Sequence, residues 1–307
     1  MRKMSQTTIN GKGTGWIPDY PSISDYTLRA EEVKPLFSEV GVDTTQSTAK
    51  SQKLSLPTRV DEIRQYCSQV EDQGILGSCT AQAGVGMVEY FERKAFGKHI
   101  DASSLFLYKV TRNLLRLRGD TGAYLRSTMG AMRLFGVPPE EYWKYDISKF
   151  DKEPPAFCYA FAKNYQAINY VRLDIPNVTK EILLNTIKDN LSKGIPSMFG
   201  FTVHESIEQA SAANSLAKGN IPFPSSTERV LGGHAVMAVG YDDDLKIENN
   251  GCGQETTGAI LIRNSWGTNW GNQGYGYLPY QYVLRDLAVD WWIIIKTDWV
   301  DTGNFGC

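Results

Sequence analysis

Apolar residues recur at helical spacing through the first half of the chain and gather into short, unbroken runs in the second. From Cys79 onward, Val85, Val88 and Phe91 alternate with Glu89, Glu92 and Arg93, a period that predicts a helix ending at Gly97. Gly84 and Gly86 inside it cost helix stability, so the pattern predicts close packing there against a neighbouring element. Leu105, Leu107, Tyr108, Val110 and Leu114 predict a second helix capped by Ser103 or Ser104. Residues 125–135 predict a third, stopped by Gly136 and Pro138-Pro139. After Lys152-Glu153-Pro154-Pro155 the pattern turns to strands: Asn169–Leu173, Ile195–Phe201 and the fully apolar Trp291–Ile295, with a helix capped by Thr179 running to Leu191. A length of 307 residues suits either one two-lobed domain or two domains.

The first 54 residues read differently from the rest. Gly11–Gly15 is a flexible opening, Trp16–Tyr26 an extended, proline-restricted and aromatic segment, Glu31–Val40 a short amphipathic piece, and Ser47–Ser55 a polar linker. Charge is nearly balanced, 32 basic against 34 acidic residues without a block of either sign, so nothing calls for nucleic acid. No apolar run approaches the ~20 residues of a membrane span. Met1-Arg2-Lys3-Met4 leads into Ser5-Gln6-Thr7-Thr8 instead of an apolar core, so the expectation is a protein cytoplasmic as synthesised, with export by a signal-less route left open. The five cysteines, Cys67, Cys79, Cys158, Cys252 and Cys307, are sparse and odd in number, which fits a reducing compartment. Asp242-Asp243-Asp244 lacks the spaced ligands of a calcium loop and reads as a solvated turn, while Asn250-Gly251 is a hairpin signal.

The chemistry gathers around Gln73-Gly74-Ile75-Leu76-Gly77-Ser78-Cys79. A cysteine at a helix start is useful because unpaired N–H groups and aligned dipoles favour thiolate over thiol. Ser78 is placed to cap that helix, Gly74 and Gly77 allow a tight turn, and Gln73 can offer its side-chain amide to a reacting carbonyl. By itself this stretch equally fits a small buried cysteine at an ordinary helix. Two later segments change the balance: Gly232-Gly233-His234-Ala235 opens a strand-like run, and Asn264-Ser265-Trp266-Gly267 closes another.

Gln73, Gly-Ser-Cys, Gly-His-Ala and Asn-Ser-Trp-Gly, in this order, resemble the papain family of cysteine peptidases. Leu76 and Thr80 stand where the family signature has a cysteine and an aromatic residue, so a disulfide of secreted relatives is missing. Asn264 lies farther downstream than the family spacing, an excess that an insertion at residues 242–258 accounts for.

The resemblance implies a papain-like α+β fold, with a helical lobe at about 66–155 and an antiparallel β-rich lobe at about 156–307 meeting across a cleft. It implies that Cys79 is the nucleophile and His234 its partner in a thiolate–imidazolium pair. Asn264 would orient the imidazole, Gln73 would donate to the oxyanion, and Trp266 would shield the histidine. Gly122 and Gly233 would border the bound substrate, Gly122 standing where relatives pair with substrate backbone. Peptide or protein substrates are the implied partners, and neither a metal nor an organic cofactor is called for. Residues 1–54 occupy the place of an inhibitory pro-segment without its long helix, so Trp16–Tyr26 either covers the cleft or merely covers apolar surface. A papain-fold binding module without turnover, and a thiol enzyme with other amide or acyl-transfer chemistry, stay open.

Overall fold

The computed structural model describes residues 8–23, 25–27, 30, 56–211 and 218–299. The pieces at Glu31–Val40 and Ser47–Ser55, and Cys307, lie outside them. A small hairpin comes first, β1 (Thr8–Ile9) and β2 (Lys12–Gly13), turned by Asn10 and Gly11 at φ 51° and 75°. Three helices follow, α1 (Cys79–Phe96), α2 (Ser104–Leu114) and α3 (Leu125–Leu134). Every residue of α1 from Cys79 to Tyr90 is buried. Its interior glycines admit neighbours: a Cβ on Gly84 would stand 2.9 Å from Met132 Sδ, and one on Gly86 2.5 Å from Arg263 Nη1. The helix ends where Gly97 turns left-handed at φ 70° and returns its N–H to Arg93 O. Ser103 caps α2 by accepting from Phe106 N at 3.2 Å. Ser78 does not cap α1 with its side chain. Its hydroxyl is instead 2.7 Å from Tyr145 Oη, a long-range partner that competes with the local one.

The short helix α4 (Ala156–Ala162) sets Tyr159 edge-on against Phe106 and Phe135, so the helical layer continues past residue 155. The remaining chain builds an antiparallel sheet from β4 (Tyr165–Arg172), β5 (Ser197–His204), β6 (Val230–Asn249), β7 (Gln254–Arg263), β8 (Tyr275–Pro279) and β9 (Ala288–Trp299). Their order is β4-β9-β5-β6-β7-β8, and β3 (Arg59–Val60) joins β6. Helices α5 (Lys180–Ser192), α6 (Ile207–Ser211) and α7 (Tyr280–Leu284) flank it, α5 capped by Thr179 accepting from Ile182 N at 3.3 Å. Phe199 and Trp291 stack with ring centroids 3.8 Å apart in the core between β5 and β9.

Two expectations, one about a turn and one about the opening segment, are corrected. Asp242-Asp243-Asp244 lies within β6, which runs on to Asn249; Asp243 is half-buried, paired with Lys188 Nζ at 2.7 Å and accepting from Tyr280 Oη at 2.6 Å. A charged trio reads as a turn from local composition, whereas here its middle member has distant partners. The turn at Asn250-Gly251 is present, with Asn249 O accepting from the N–H of both Cys252 and Gly253. Gly11–Gly15 is not a free opening either, since Gly13, Thr14 and Trp16 are buried.

Sheet topology brings the later motifs together. Antiparallel pairing places Met237 opposite Arg263, so the start of β6 lies beside the chain leaving β7. His234, near the start of β6, therefore meets Asn264, the first residue after β7.

Candidate active site

Cys79, His234 and Asn264 converge where the start of α1 faces the β6–β7 edge. The Cys79 sulfur faces the backbone N–H of Ala235, next in chain to His234. His234 Nε2 is 2.7 Å from Asn264 Oδ1, while its Nδ1 has no hydrogen-bond partner. Trp266 lies over the imidazole with ring centroids 4.7 Å apart, and Phe201, paired with His234 across β5 and β6, meets it edge-on at 5.8 Å. Ring orientation is thus held by Asn264, Trp266 and Phe201 together.

Gln73 is fully buried and tied to the Asn264 segment from both backbone and side chain. Its N–H donates to Ser265 O at 2.9 Å, and Ser265 Oγ donates to Gln73 Oε1 at 2.6 Å. This bond fixes the amide, leaving Nε2 to donate toward Leu76 O at 2.7 Å and Gly13 O at 3.0 Å. Around the loop before Cys79, Asp120 accepts from Gly77 N at 3.1 Å and Tyr108 Oη at 2.6 Å, and Tyr145 Oη donates to Gln73 O at 2.9 Å. Ser265 was visible within its motif; Asp120 and Tyr145 carried no local signal, because what they hold is distant in sequence.

The N-terminal segment lies in this cleft. Gly13 N donates to Gly74 O, Trp16 N to Gly233 O and Ile17 N to Ala123 O, while Gly15 O accepts from Ala123 N at 2.8 Å. The Gly15 backbone N–H faces the Cys79 sulfur. Gly122 does not make the strand-like pairing expected of it; Ala123 does. Gly122, at φ 73°, makes room instead, since a Cβ there would stand 2.1 Å from Gly15 O. Gly233 borders the same path, where a Cβ would meet Trp16 O at 2.7 Å.

Enclosure sets the electrostatics. Burial pushes the Cys79 thiol up to about 11 against the pull of the Ala235 and Gly15 N–H groups, and pushes His234 down to about 4 against its bond to Asn264. Burial thus works against the charged form of both groups, and for the thiol it outweighs the helix terminus. Cys67, Cys79, Cys158 and Cys252 are free thiols.

Behind the site, Arg263 Nη2 donates to Ser68 Oγ at 2.9 Å and Gln69 O at 2.8 Å, and Ser68 donates to Glu89 of α1. This buried network ties β7 to α1 beneath Asn264. Burial, with the neighbouring Glu89, raises the Glu71 carboxyl to about 8.

Comparison with known proteins agrees with this arrangement. Residues 56–283 match the model of the papain family cysteine proteases. An uncharacterised peptidase C1-like protein of Acanthamoeba polyphaga mimivirus is 35% identical over 245 residues, covering 78% of this chain and 71% of that one. Chicken cathepsin K is 28% identical over 224 residues, covering 71% of this chain and 58% of that one. Among solved structures, xylellain, a cysteine protease from Xylella fastidiosa, superposes with a TM-score of 0.69 at 31% identity, covering 94% of this chain and 97% of that one. Motif order, two-lobed fold and these likenesses agree, and the chain belongs to the papain family of cysteine proteases.

Proposed function

We propose that this cysteine peptidase cleaves peptide bonds through Cys79 and His234, and that its own N-terminal segment restrains it by lying in the substrate cleft. Once the arm leaves and water reaches the site, His234 takes the Cys79 proton, the thiolate attacks the peptide carbonyl, and the imidazolium protonates the departing amine. Water, activated by the same imidazole, hydrolyses the thioester. Asn264 keeps the ring in register through its Nε2 bond. The Gln73 amide and the Cys79 backbone N–H receive the negative charge that develops on the carbonyl oxygen. Trp266 keeps water from the histidine–asparagine bond.

The observation that carries the restraint is how the arm meets the catalytic groups. Gly15 offers the sulfur an N–H, and its carbonyl oxygen is engaged by Ala123; the carbonyl bonded to Gln73 belongs to Gly13. The arm's backbone thus engages the sulfur and the Gln73 amide together, the two groups a substrate would need. The test is hydrolysis of blocked dipeptidyl fluorogenic amides by the full chain and by the full chain carrying Trp16→Ala, each with and without Cys79→Ser. Activity that needs Cys79 and rises with Trp16→Ala supports both parts. Activity surviving Cys79→Ser overturns the nucleophile, and equal rates with and without Trp16 overturn the restraint.

A further inference from the structure

Trp16 is 4% exposed, and its indole fills a pocket whose walls are two backbones without side chains. A Cβ on Gly200 would stand 1.9 Å from Trp16 Cε2, and one on Gly233 2.9 Å from Cε3. At the floor, Trp16 Nε1 donates to Asp290 Oδ2 at 3.1 Å. Asp290 is fully buried near the start of β9, an unusual place for a carboxylate.

The strand is bent to put it there. Met198 pairs with Trp292 and Gly200 with Val289, so two steps along β5 oppose three along β9, and the extra residue is taken up around Asp290, at φ 62°. Such bulges re-aim side chains beside active sites. Asp174 pins this one by accepting from Asp290 N at 2.7 Å and Trp291 N at 2.9 Å. The two carboxylate oxygens then face different partners. Oδ1 accepts from Trp292 Nε1 at 2.7 Å and lies 3.2 Å from Arg172 Nη1, a close charge contact without hydrogen-bond geometry. Oδ2 bonds to Trp16. Burial lifts the carboxyl to about 6 against the pull of Arg172, a guanidinium it shares with Asp174 and Asp25, so at neutral pH it is an acceptor.

We infer that Asp290 is a specificity-determining residue: when Trp16 withdraws, its Oδ2 selects substrates that place an indole in the Gly200–Gly233 pocket and donate a ring N–H. The inference rests on the peptidase reading above. Gly15 faces the sulfur and Trp16 is its neighbour, so the selected side chain stands one residue from the attacked carbonyl. An apolar ring of the same shape would leave a buried carboxylate oxygen without its donor, and sites built around a buried polar group reject ligands that lack the matching one. Arg172 spends its Nε and Nη2 on Asp174 and shares its Nη1 with Asp25, so Oδ2 depends on the donor that the indole supplies.

The test uses the full chain with Trp16→Ala at neutral pH, and two blocked dipeptidyl amides that share glycine at the attacked residue. One carries tryptophan before it; the other carries 3-benzothienylalanine, which keeps the ring shape and replaces the N–H by sulfur. Two readouts are compared: kcat/KM, and the concentration of each amide that halves alkylation of Cys79 by iodoacetamide. The expected result is a preference for tryptophan of about tenfold in both, lost in Asp290→Ala. Equal values for the two amides overturn the assignment, with no Asp290 variant needed. A tenfold preference in protection without turnover keeps the assignment and overturns the peptidase reading. Absence of both turnover and protection overturns both.

Discussion

At the scale of single residues, enclosure disfavours the charged forms of both Cys79 and His234. The thiol is raised and the imidazole lowered, so each shift acts against the ion pair. Rehydrating the cleft lowers the thiol's pKa and raises the imidazole's. Alkylation of Cys79 by iodoacetamide, followed against pH, is therefore expected to be slow and still climbing through the neutral range in the unsubstituted chain. In the Trp16→Ala chain the climb shifts to lower pH; coincident profiles would show that burial by the arm does not set the thiol. Gln73 supplies a second prediction at this scale. Ser265 and the loop backbone already hold its amide, so the donor is preorganised. In the Trp16→Ala background, Gln73→Ala is expected to lower kcat ~100–1000-fold with little change in KM, as loss of one oxyanion donor does. A change confined to KM would assign Gln73 to binding alone.

At the scale of elements, glycines decide what fits in the cleft. Gly200 sits in the middle of β5, where alanine meets no unfavourable φ, yet its methyl would occupy the place of the Trp16 ring. Gly200→Ala is expected to unseat the arm, raising turnover of a small leucyl substrate by the full chain while lowering turnover of a tryptophanyl one. Both rates falling together would mean the substitution damages β5 itself. The same reasoning explains Gly86 in α1. A helix-interior glycine replaced by alanine ordinarily gains about 1 kcal/mol, but here the methyl would press on Arg263 Nη1, and that guanidinium is held by Ser68 and Gln69. Gly86→Ala is therefore expected to lower Tm instead of raising it.

At the scale of the whole molecule, the arm is held beyond the cleft by charge. Arg126 of α3 reaches Asp19 Oδ2 at 2.7 Å and Tyr20 O at 2.7 Å, and grips both oxygens of Asp25 at 2.7 and 2.9 Å. Arg172 adds a bond to Asp19 O at 2.9 Å. Asp25 is nearly buried and the grip on it is two-pronged, the geometry in which an arginine–carboxylate pair is strongest. Arg126→Ala is expected to raise turnover by the full chain about tenfold, the effect of ~1.4 kcal/mol, with unchanged circular dichroism. Added salt should act in the same direction more weakly, because Arg126 is partly solvent-exposed. A chain whose rate ignores both would be restrained by the Trp16 pocket alone.

What could be read from sequence was what local physics controls. The 3.6-residue period, Ser103, Thr179 and Gly97 marked helices because caps and periodicity act within a few residues. Gln73, Cys79, His234 and Asn264 were legible through the glycine and tryptophan contexts around them. Ser78 shows the limit: its local signal was a cap, and its actual partner is Tyr145. The same holds for Ala123 in place of Gly122, for Asp243 on a strand instead of a turn, and for a glycine-rich opening in which Gly13 and Thr14 are buried. None of these depends on neighbours in sequence. The sequence alone determined the main helices and strands and singled out Gln73, Cys79, His234 and Asn264 as the candidate site. Only the tertiary structure decided that Gly13–Ile17 fills the cleft, that burial raises the Cys79 thiol, and that a bulge turns Asp290 toward Trp16. Those outcomes follow from contacts between distant segments, and from the desolvation such contacts impose.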